Sequence, residues 1–396
     1  MKTSVGIIGQ GYVGLPLAMA VSKAGFKVYG IDNDANLVER LNSGESRIED
    51  ISDSDILEQL EDGKYEATLD SVKIKECEVK IICVPTPLLN SKPDLSFLID
   101  AVTKVGKYLK RSDLVLIEST IEPQTTRNLI IPLLERESGL KKEEFHVAFS
   151  PERTDPKNSV WNLKNTPKLV AGLTPEAANL ASNFYSKFIT TIIEVDSIEV
   201  AETAKLLENA FRFVNISFIN EMSIFCQKLG IDVNKVIKAA STKPYGFMPF
   251  YPGIGVGGHC IPVDPIYLAH KADEIGAPLS FIDLAAQINR DIPRYYVRQA
   301  EEMFGVLKGK KILVIGVSYK PNVADVRETP VEGLISGLRN KGANVFWHDD
   351  LVGEWKGEKS VALDSNFDLA ILATPHDYLD LKKLGNLPLL NTQGSI

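Results

Sequence analysis

Apolar residues come along this chain in short blocks, separated by stretches with a longer period. Val5 to Ile8 is an unbroken apolar run, Lys27 to Ile31 (KVYGI) is nearly so, and Val79 to Val84 and Leu114 to Ile117 repeat the theme. Runs this short, bounded by turn residues, predict strands buried on both faces. Between them the spacing predicts helices: Gly14 to about Lys23, Asp94 to about Leu109 with Asp94 as N-cap, and Pro123 to about Glu137 with proline in the first turn. Another strand-like run ends at Ala148-Phe149-Ser150, and Lys168 to Gly172 and Thr191 to Val195 follow. The longest helical pattern covers about Ser197 to Leu229. That exceeds an ordinary globular helix, and its apolar content predicts that it bridges domains and packs on a partner subunit. Shorter helices are predicted over Val233 to Ala240, Pro265 to about Ile275 and Phe281 to about Met303. From Lys308 a new unit opens. It has a strand from Ile312 to Gly316, a helix to about Asn340, and strands over Asn344 to His348 and Phe367 to Ala373. Strands alternating with helices point to parallel α/β architecture, twice over.

Composition narrows the setting. A chain of 396 residues with 44% hydrophobic and 24% charged content has room for two or three ordinary globular domains. A net charge of −8 and a pI near 5.4 argue against a nucleic-acid partner, while leaving room for a local basic pocket for phosphate. Cys77, Cys83, Cys226 and Cys260 form no C-x-x-C pair and no Cys/His spacing for zinc, so no metal is expected. Nothing resembles a disulfide framework, which favours a reducing, cytoplasmic location. Ala18-Met19-Ala20 imitates a signal-cleavage site, but Gly9, Gly11, Gly14 and Pro16 interrupt the apolar stretch before it. No run of about 18 apolar residues predicts a membrane span.

Candidate chemistry sits at the ends of the predicted strands. Gly9-Gln10-Gly11-Tyr12-Val13-Gly14 follows the first strand and opens a helix, and Asp32 ends the next strand, 18 residues after Gly14. The first glycine makes a tight turn, the second admits a pyrophosphate, and the third lets helix pack on strand. The helix N-terminus offers its N–H groups to the phosphates. Asp32 can accept both ribose hydroxyls and would repel a 2′-phosphate, so the cofactor expected is NAD rather than NADP. Thr86 and Thr120 follow strands; they are either ordinary loop and capping residues or the place where cofactor and substrate meet. Glu152 and Arg153 stand at the same rim. On the long helix Lys205, Asn209 and Arg212 fall at i, i+4 and i+7, making either a solvated face or a row of donors for an oxyanion. Tyr251 to Asp264 (YPGIGVGGHCIPVD) crowds Gly253, Gly255, Gly257 and Gly258 before Cys260. Such a loop is either a glycine-rich turn around a small buried cysteine or one that presents a thiol, the group needed to hold an aldehyde or acyl carbon covalently. The later α/β unit lacks the G-x-G-x-x-G turn and carries Lys320 and Arg327 in its loop. It is either structural or a site for a nucleotide other than a dinucleotide.

Gly9 to Ala18 (GQGYVGLPLA), Ser119-Thr120, Ala201 to Asn209 (AETAKLLEN), Gly257 to Pro265 (GGHCIPVDP) and Gly316 to Pro330 (GVSYKPNVADVRETP) together resemble the nucleotide-sugar 6-dehydrogenases, the UDP-glucose/GDP-mannose dehydrogenase family. The likeness covers nearly the whole chain. It implies two Rossmann-like doubly wound domains joined by a central helical dimerisation domain with one long helix. Their expected limits are residues 1–195 for NAD, 196–304 for dimerisation and 305–396 for the UDP-sugar. It also implies roles. Gly9, Gly11, Tyr12, Val13, Gly14, Asp32, Thr86, Thr120 and Arg327 would contact NAD. Arg153, Lys205, Asn209, Tyr251, Gly253, Gly257, Lys320 and Arg327 would bind the UDP-sugar. Cys260 would carry the covalent step, with Lys205 and Asn209 at the oxyanion, Thr120 and Asp264 holding a water, and Glu152 activating the hydrolytic water. His259 adjoins the thiol, but neighbours in an extended loop point apart, so it is not taken as the base. Pro151-Glu152-Arg153 stands where members acting on UDP-glucose tend to have Pro-Glu-Phe-Leu. The run Phe149 to Asn158 looks most like UDP-N-acetylglucosamine 6-dehydrogenases, although Lys157 stands where a glycine is common. UDP-N-acetylmannosamine is the close alternative. A homodimer or larger homo-oligomer and a role in surface polysaccharide precursors are expected. Rival readings are a two-electron hydroxyacid dehydrogenase, which would need neither the thiol loop nor the last domain, and an NAD-binding sensor, which would need no catalytic set.

Overall fold

The structure, a computed structural model, describes residues 3–48, 50–155, 157–158 and 160–394. It divides into two compact units, one ending at Leu207 and the other starting at Glu208.

The first unit is built on eight strands: β1 (Ser4–Ile8), β2 (Lys27–Ile31), β3 (Tyr65–Thr68), β4 (Val79–Ile82), β5 (Leu114–Ile117), β6 (His146–Phe149), β7 (Lys168–Gly172) and β8 (Ile192–Glu194). Their order across the sheet is β3-β2-β1-β4-β5-β6-β7-β8. The first six in that order run parallel, β7 is antiparallel to β6, and β8 is parallel to β7. The order reverses between β1 and β4, which opens a crevice beyond the C-terminal ends of those strands. Helices α1 (Gly14–Lys23), α2 (Ala35–Asn42), α3 (Asp53–Glu61), α4 (Ser96–Lys107), α5 (Ile131–Ser138) and α6 (Pro175–Tyr185) complete it. Side chains alternate along the strands. Val5, Ile7 and Ile81 join one apolar core with Leu15 and Leu17, while Ile8 and Ile82 join another with Leu98 and Val102. Each such side chain, fully buried, is worth about 1.5–3 kcal/mol relative to exposure.

Two predicted helix starts are corrected. Helix α4 begins at Ser96 after Leu95, which supplies no cap, so Asp94 is not the N-cap; its Oδ1 accepts from Ser96 N (2.9 Å) as a local turn. The helix predicted from Pro123 cannot start there because Gln124 has φ 75°. A π-helical turn over Thr126–Ile130 leads into α5 instead. The cause is Glu202, whose carboxylate accepts from Gln124 N (2.6 Å) and Thr126 N (3.0 Å) and fixes the chain. Lys157 adopts φ 58°, the conformation a glycine would take freely, so the turn survives the substitution at a cost of about 1 kcal/mol or more. Pro156 of the same run lies outside the described residues.

Helix α7 (Ile198–Lys228) is unbroken over 31 residues. Most of it belongs to the second unit, with α8 (Val233–Ala240), α9 (Asp264–Glu274) and α10 (Ser280–Phe304). The second unit also holds a parallel sheet of β9 (Lys311–Ile315), β10 (Asn344–His348), β11 (Leu369–Leu372) and β12 (Leu389–Asn391), ordered β10-β9-β11-β12, and helix α11 (Val331–Asn340). All pairs are parallel, and the order reverses between β9 and β11. Val314, Leu334, Trp347 and Ile371 form the centre of its core. Among the described residues no helix is long and apolar enough to cross a membrane.

Candidate active site

The glycine turn after β1 takes the shape its spacing demands. Gly9 has φ 93°, and a Cβ there would lie 2.5 Å from the carbonyl oxygen of Cys83. A Cβ on Gly14 would lie 1.8 Å from the carbonyl oxygen of Gly9, so α1 reaches the turn only through glycine. Gly11 is different: nothing lies within 4 Å of its would-be Cβ. The protein does not need that glycine for its own packing, and the open space suits the approach of a pyrophosphate. Asp32 is held beside the turn, with Oδ2 accepting from Gln10 N (2.7 Å) and Oδ1 from Asn33 N (2.8 Å) and Asp34 N (3.0 Å). A cavity of about 240 Å³ opens next to Gly11 and Tyr12, floored by Leu15 and Leu37 and edged by Arg47. Tyr12 is exposed, Val13 half-buried just before α1, and Thr86 buried just after β4. Gln10, Leu37 and Arg47 were not among the expected residues. Gln10 is buried, and its Oε1 accepts from the Tyr65 hydroxyl (2.9 Å), a long-range tie with no local sequence signal.

The same unit holds Thr120, Glu152, Arg153 and Lys205. Thr120 is half-buried after β5, next to Ser119, whose hydroxyl donates to the carbonyl of Val84 (2.8 Å). Glu152 Oε1 accepts from Arg153 N (2.7 Å) and Thr154 N (2.6 Å). Its Oε2 lies 3.6 Å from Lys168 Nζ, which is itself 3.0 Å from Glu118. Lys168 and Glu118 are almost wholly buried, and the Tyr185 hydroxyl donates to Glu118 (2.5 Å). Burial works against the charge on Glu152, but the Lys168 ammonium and the N–H donors outweigh it and hold the carboxyl below its usual range. Burial also opposes charge on Lys168; its two carboxylate neighbours win and hold it above the ordinary lysine value. Sequence reading missed this cluster, because one lysine at the start of a strand and one glutamate just past the end of another carry no spacing signal. Arg153 Nη1 donates to the carbonyl of Pro167 (2.8 Å). Lys205 is buried.

In the second unit Asn209 is half-buried and its Nδ2 donates to Asp264 Oδ2 (2.6 Å), so two expected site residues do meet. Arg212 is exposed, which separates it from the buried Lys205 and half-buried Asn209 earlier on α7. Asp264 is buried as the first residue of α9, and the carbonyl of Cys260 accepts from its N–H (2.8 Å). Cys260 therefore stands at the entry to α9, exposed, and in no disulfide. Of the four glycines before it, Gly255 and Gly258 have positive φ (126° and 85°). Gly257 is needed for close approach, since a Cβ there would lie 2.7 Å from the carbonyl oxygen of Glu328. Tyr251 is exposed, and Gly253 N donates to Asn220 Oδ1 (2.9 Å). Burial, and Arg327 after it, pushes the imidazole of His259 below its ordinary value.

The thiol loop rests on the loop after β9. Gly258 N donates to the carbonyl of Arg327 (3.0 Å), and a Cβ on Gly258 would strike the Tyr319 ring at 2.8 Å. Arg327 is exposed and forks onto Asp325, and Lys320 is half-buried. The Cys260 loop and the Lys320–Arg327 loop thus meet at Gly258 within this unit.

Comparison with known proteins decides the family. Residues 3–189 match the NAD binding domain of the UDP-glucose/GDP-mannose dehydrogenase family, residues 199–291 its central domain and residues 313–388 its UDP binding domain. The chain belongs to that family. It is a nucleotide-sugar dehydrogenase whose cofactor is NAD, and the glycine turn and Asp32 fit that cofactor. Among relatives, a UDP-N-acetyl-D-glucosamine 6-dehydrogenase of Pseudomonas aeruginosa is 37% identical over 398 residues, 96% of this chain and 92% of the relative. A UDP-N-acetyl-D-mannosamine dehydrogenase of Pyrococcus horikoshii is 34% identical over 378 residues, 94% of this chain and 89% of the relative. The solved structure of a UDP-D-ManNAc dehydrogenase from Pyrococcus horikoshii matches with a TM-score of 0.90 at 32% identity, covering 99% of this chain and 95% of that one. This dehydrogenase family therefore accounts for both sheets and for the central helices between them in sequence.

Proposed function

We propose that this dehydrogenase oxidises the C6 hydroxyl of a UDP-N-acetylhexosamine, UDP-N-acetylglucosamine by preference, to the uronic acid. NAD, when bound, accepts a hydride in each of two oxidations. Thr120 and Asp264 hold a water that takes the hydroxyl proton as C6 becomes an aldehyde. The Cys260 thiolate adds to that aldehyde, and Lys205 and Asn209 stabilise the oxyanion of the thiohemiacetal. Its oxidation leaves a thioester; Glu152 activates water to attack it, the C–S bond breaks, and the thiolate is restored. In sum one alcohol, two NAD and one water become one carboxylate, two NADH and three protons. Arg153, Tyr251, Gly253 and Gly257 contact the sugar, while Lys320 and Arg327 hold the phosphates, Arg327 reaching the cofactor as well.

The observation that carries this reading is the thiol loop seated on the Lys320–Arg327 loop through Gly258 and Arg327. A two-electron hydroxyacid dehydrogenase has no use for that arrangement, and a sensor has no use for Cys260. Relatives named for either C2 epimer, and Arg153 after Pro151-Glu152, support an N-acetylhexosamine, and the run Phe149 to Asn158 favours the gluco form. The test is NADH formed per sugar consumed, with UDP-N-acetylglucosamine, UDP-N-acetylmannosamine and UDP-glucose in parallel. Two NADH per UDP-N-acetylglucosamine is expected; two from another sugar discards the substrate preference, and one with free aldehyde discards the thioester. Cys260→Ala is expected to abolish net turnover and Cys260→Ser to leave a slow or stalled enzyme.

Residues 196–304 are taken as a dimerisation domain. Phe211, Phe218 and Phe225, seven residues apart on α7, are each about half exposed, and a second copy of the chain is the proposed cover. Light scattering on Phe218→Glu tests this; an unchanged mass would remove the helix face from the interface.

A further inference from the structure

The second unit contains a buried acid–imidazole pair that the reaction above does not use. The side chains of Asp349 and His376 have no exposed surface. Asp349 follows β10. Its Oδ2 accepts from Val317 N (2.9 Å), Ser318 N (3.3 Å) and His376 Nε2 (3.1 Å), and its Oδ1 from Leu351 N (3.0 Å) and the Tyr378 hydroxyl (3.2 Å). The other ring nitrogen of His376, Nδ1, accepts from Asn322 N (2.9 Å). A backbone N–H only donates, so Nδ1 carries no proton. Nε2 then carries it, pointing to Asp349, and the ring is a neutral imidazole in one tautomer.

That ring braces a loop at two ends. On one side it is anchored to the end of the sheet through Asp349. On the other it holds Asn322, two residues from Lys320. Further ties run the same way: Asn322 Nδ2 donates to Asp377 Oδ2 (2.7 Å), Asp377 N donates to Asn322 Oδ1 (3.0 Å), and the Thr374 hydroxyl donates to the carbonyl of Ser318 (2.7 Å). Asn322 has φ 65°, a left-handed conformation that asparagine adopts more readily than other non-glycine residues, so the residue type suits the turn these bonds hold. The loop so held continues to Arg327, whose carbonyl receives Gly258 of the thiol loop.

We propose that His376 is a positioning residue for nucleotide binding: by accepting from Asn322 N, its Nδ1 sets where Lys320 and Arg327 present their charges, an inference that rests on their reading as UDP ligands. The imidazole touches neither reacting carbon nor cofactor; it acts through the loop. It also gives the thiol loop a fixed seat before substrate arrives.

The two ring nitrogens are separable by substitution. His376→Asn keeps an acceptor near the Nδ1 position and drops Nε2, whereas His376→Gln reaches the Nε2 position and drops Nδ1. Titration calorimetry with UDP as the probe is expected to show about tenfold weaker binding in His376→Gln and a change under about threefold in His376→Asn. NAD affinity is expected to be unchanged in both. UDP affinity that does not differ between the two variants overturns the proposal. Lys320→Ala is run alongside. If it weakens UDP while His376→Gln does not, the positioning role fails alone; if Lys320→Ala binds UDP as the parent does, the reading of the loop fails and the inference with it. Should a variant lose NAD binding through misfolding, nitrogen NMR of the parent His376 ring decides. An Nε2–H tautomer whose Nδ1 resonance moves on adding UDP supports the proposal, and an Nδ1–H tautomer or an unmoved resonance overturns it.

Discussion

The two sheets begin their ligand turns alike and then part. Gly9 and Gly316 each end the first strand with positive φ (93° and 79°). Each donates its N–H at 2.8 Å to the last carbonyl of the second strand, Ile31 or His348. The acid that follows, Asp32 or Asp349, then takes the next backbone N–H on Oδ2, from Gln10 at 2.7 Å or Val317 at 2.9 Å. Two positions after the first glycine the first sheet has Gly11 facing open space, and the second has Ser318, fully buried. Five positions after it stand Gly14 and Pro321. Topology therefore makes the crevice in both. The residues after the first glycine decide whether the carboxylate is offered to a ligand or used up within the fold by His376 and Tyr378. Dinucleotide chemistry needs the first arrangement, and a loop carrying Lys320 can work with the second.

Glycine substitutions at the first turn separate the two most sharply. Gly14→Ala puts a Cβ 1.8 Å from a backbone oxygen, so α1 must leave the turn. Loss of NAD affinity by more than about a thousandfold is expected, roughly 4 kcal/mol, with UDP affinity within about threefold. Loss of both ligands together would mean that the sheets do not work independently.

The sheets also differ in how they house buried charge. The first uses an ammonium, Lys168, between Glu118 and Glu152, whereas the second uses a neutral imidazole and backbone N–H groups around Asp349. Lys168→Met leaves two carboxylates without their cation and is expected to cost about 3 kcal/mol in denaturant unfolding. It also removes what holds the Glu152 carboxyl low, so the acid limb of the kcat profile should move to higher pH. An acid limb that stays in place would argue that Glu152 is not the group titrating there.

Much of this architecture was readable from the chain, and the exceptions have physical causes. Strands buried on both faces show as unbroken apolar runs; the limits of Leu114–Ile117 were right to the residue, whereas the first strand starts one residue earlier, at Ser4, and the run Val79 to Val84 is strand only to Ile82. Strand β3 was missed because Tyr65–Thr68 alternates buried and half-buried positions and includes Glu66. The start of α5 was missed because it is set by Glu202, a residue distant in sequence. Within the site, the glycine turn and Asp32 followed from spacing, and Asn209 and Asp264 were named by resemblance, although their hydrogen bond to each other was not foreseen. The Lys168 cluster and the Asp349–His376 pair followed from neither, since both are assembled from single residues on separate strands and loops.

Gly316→Ala tests the likeness of the turns from the other side. A Cβ there would lie 2.2 Å from the carbonyl oxygen of Thr374, at a φ that alanine adopts poorly. About thirtyfold weaker UDP binding is expected, close to 2 kcal/mol, with NAD binding unchanged. Parental UDP affinity would mean that the second turn is not part of the nucleotide site, despite its matching hydrogen bonds.

The smaller expected effect comes from the two acids. Burial opposes the charge on Asp349, but the His376 hydrogen bond and the Val317 N–H outweigh it and bring the carboxyl from an ordinary 3.8 to about 2. A carboxylate held low stabilises the folded state above its ordinary value, and that contribution disappears as pH falls from 3.8 through about 2. Asp349→Asn should therefore lower stability by about 2 kcal/mol at neutral pH, and the gap to the parent should close toward pH 2. Neither amide orientation keeps every contact: an NH2 at the Oδ2 position meets Val317 N, Ser318 N and His376 Nε2, and an NH2 at the Oδ1 position meets Leu351 N and Val352 N, all of them donors. The transition to follow in urea is the one that UDP shifts, since a ligand of the second unit marks its unfolding. Asp32→Asn, half-buried at the matching position, should cost under about 1 kcal/mol in stability while weakening NAD about tenfold. If the two asparagine variants lose stability equally, Asp349 is no more committed to the fold than Asp32, and the contrast between the turns falls with it.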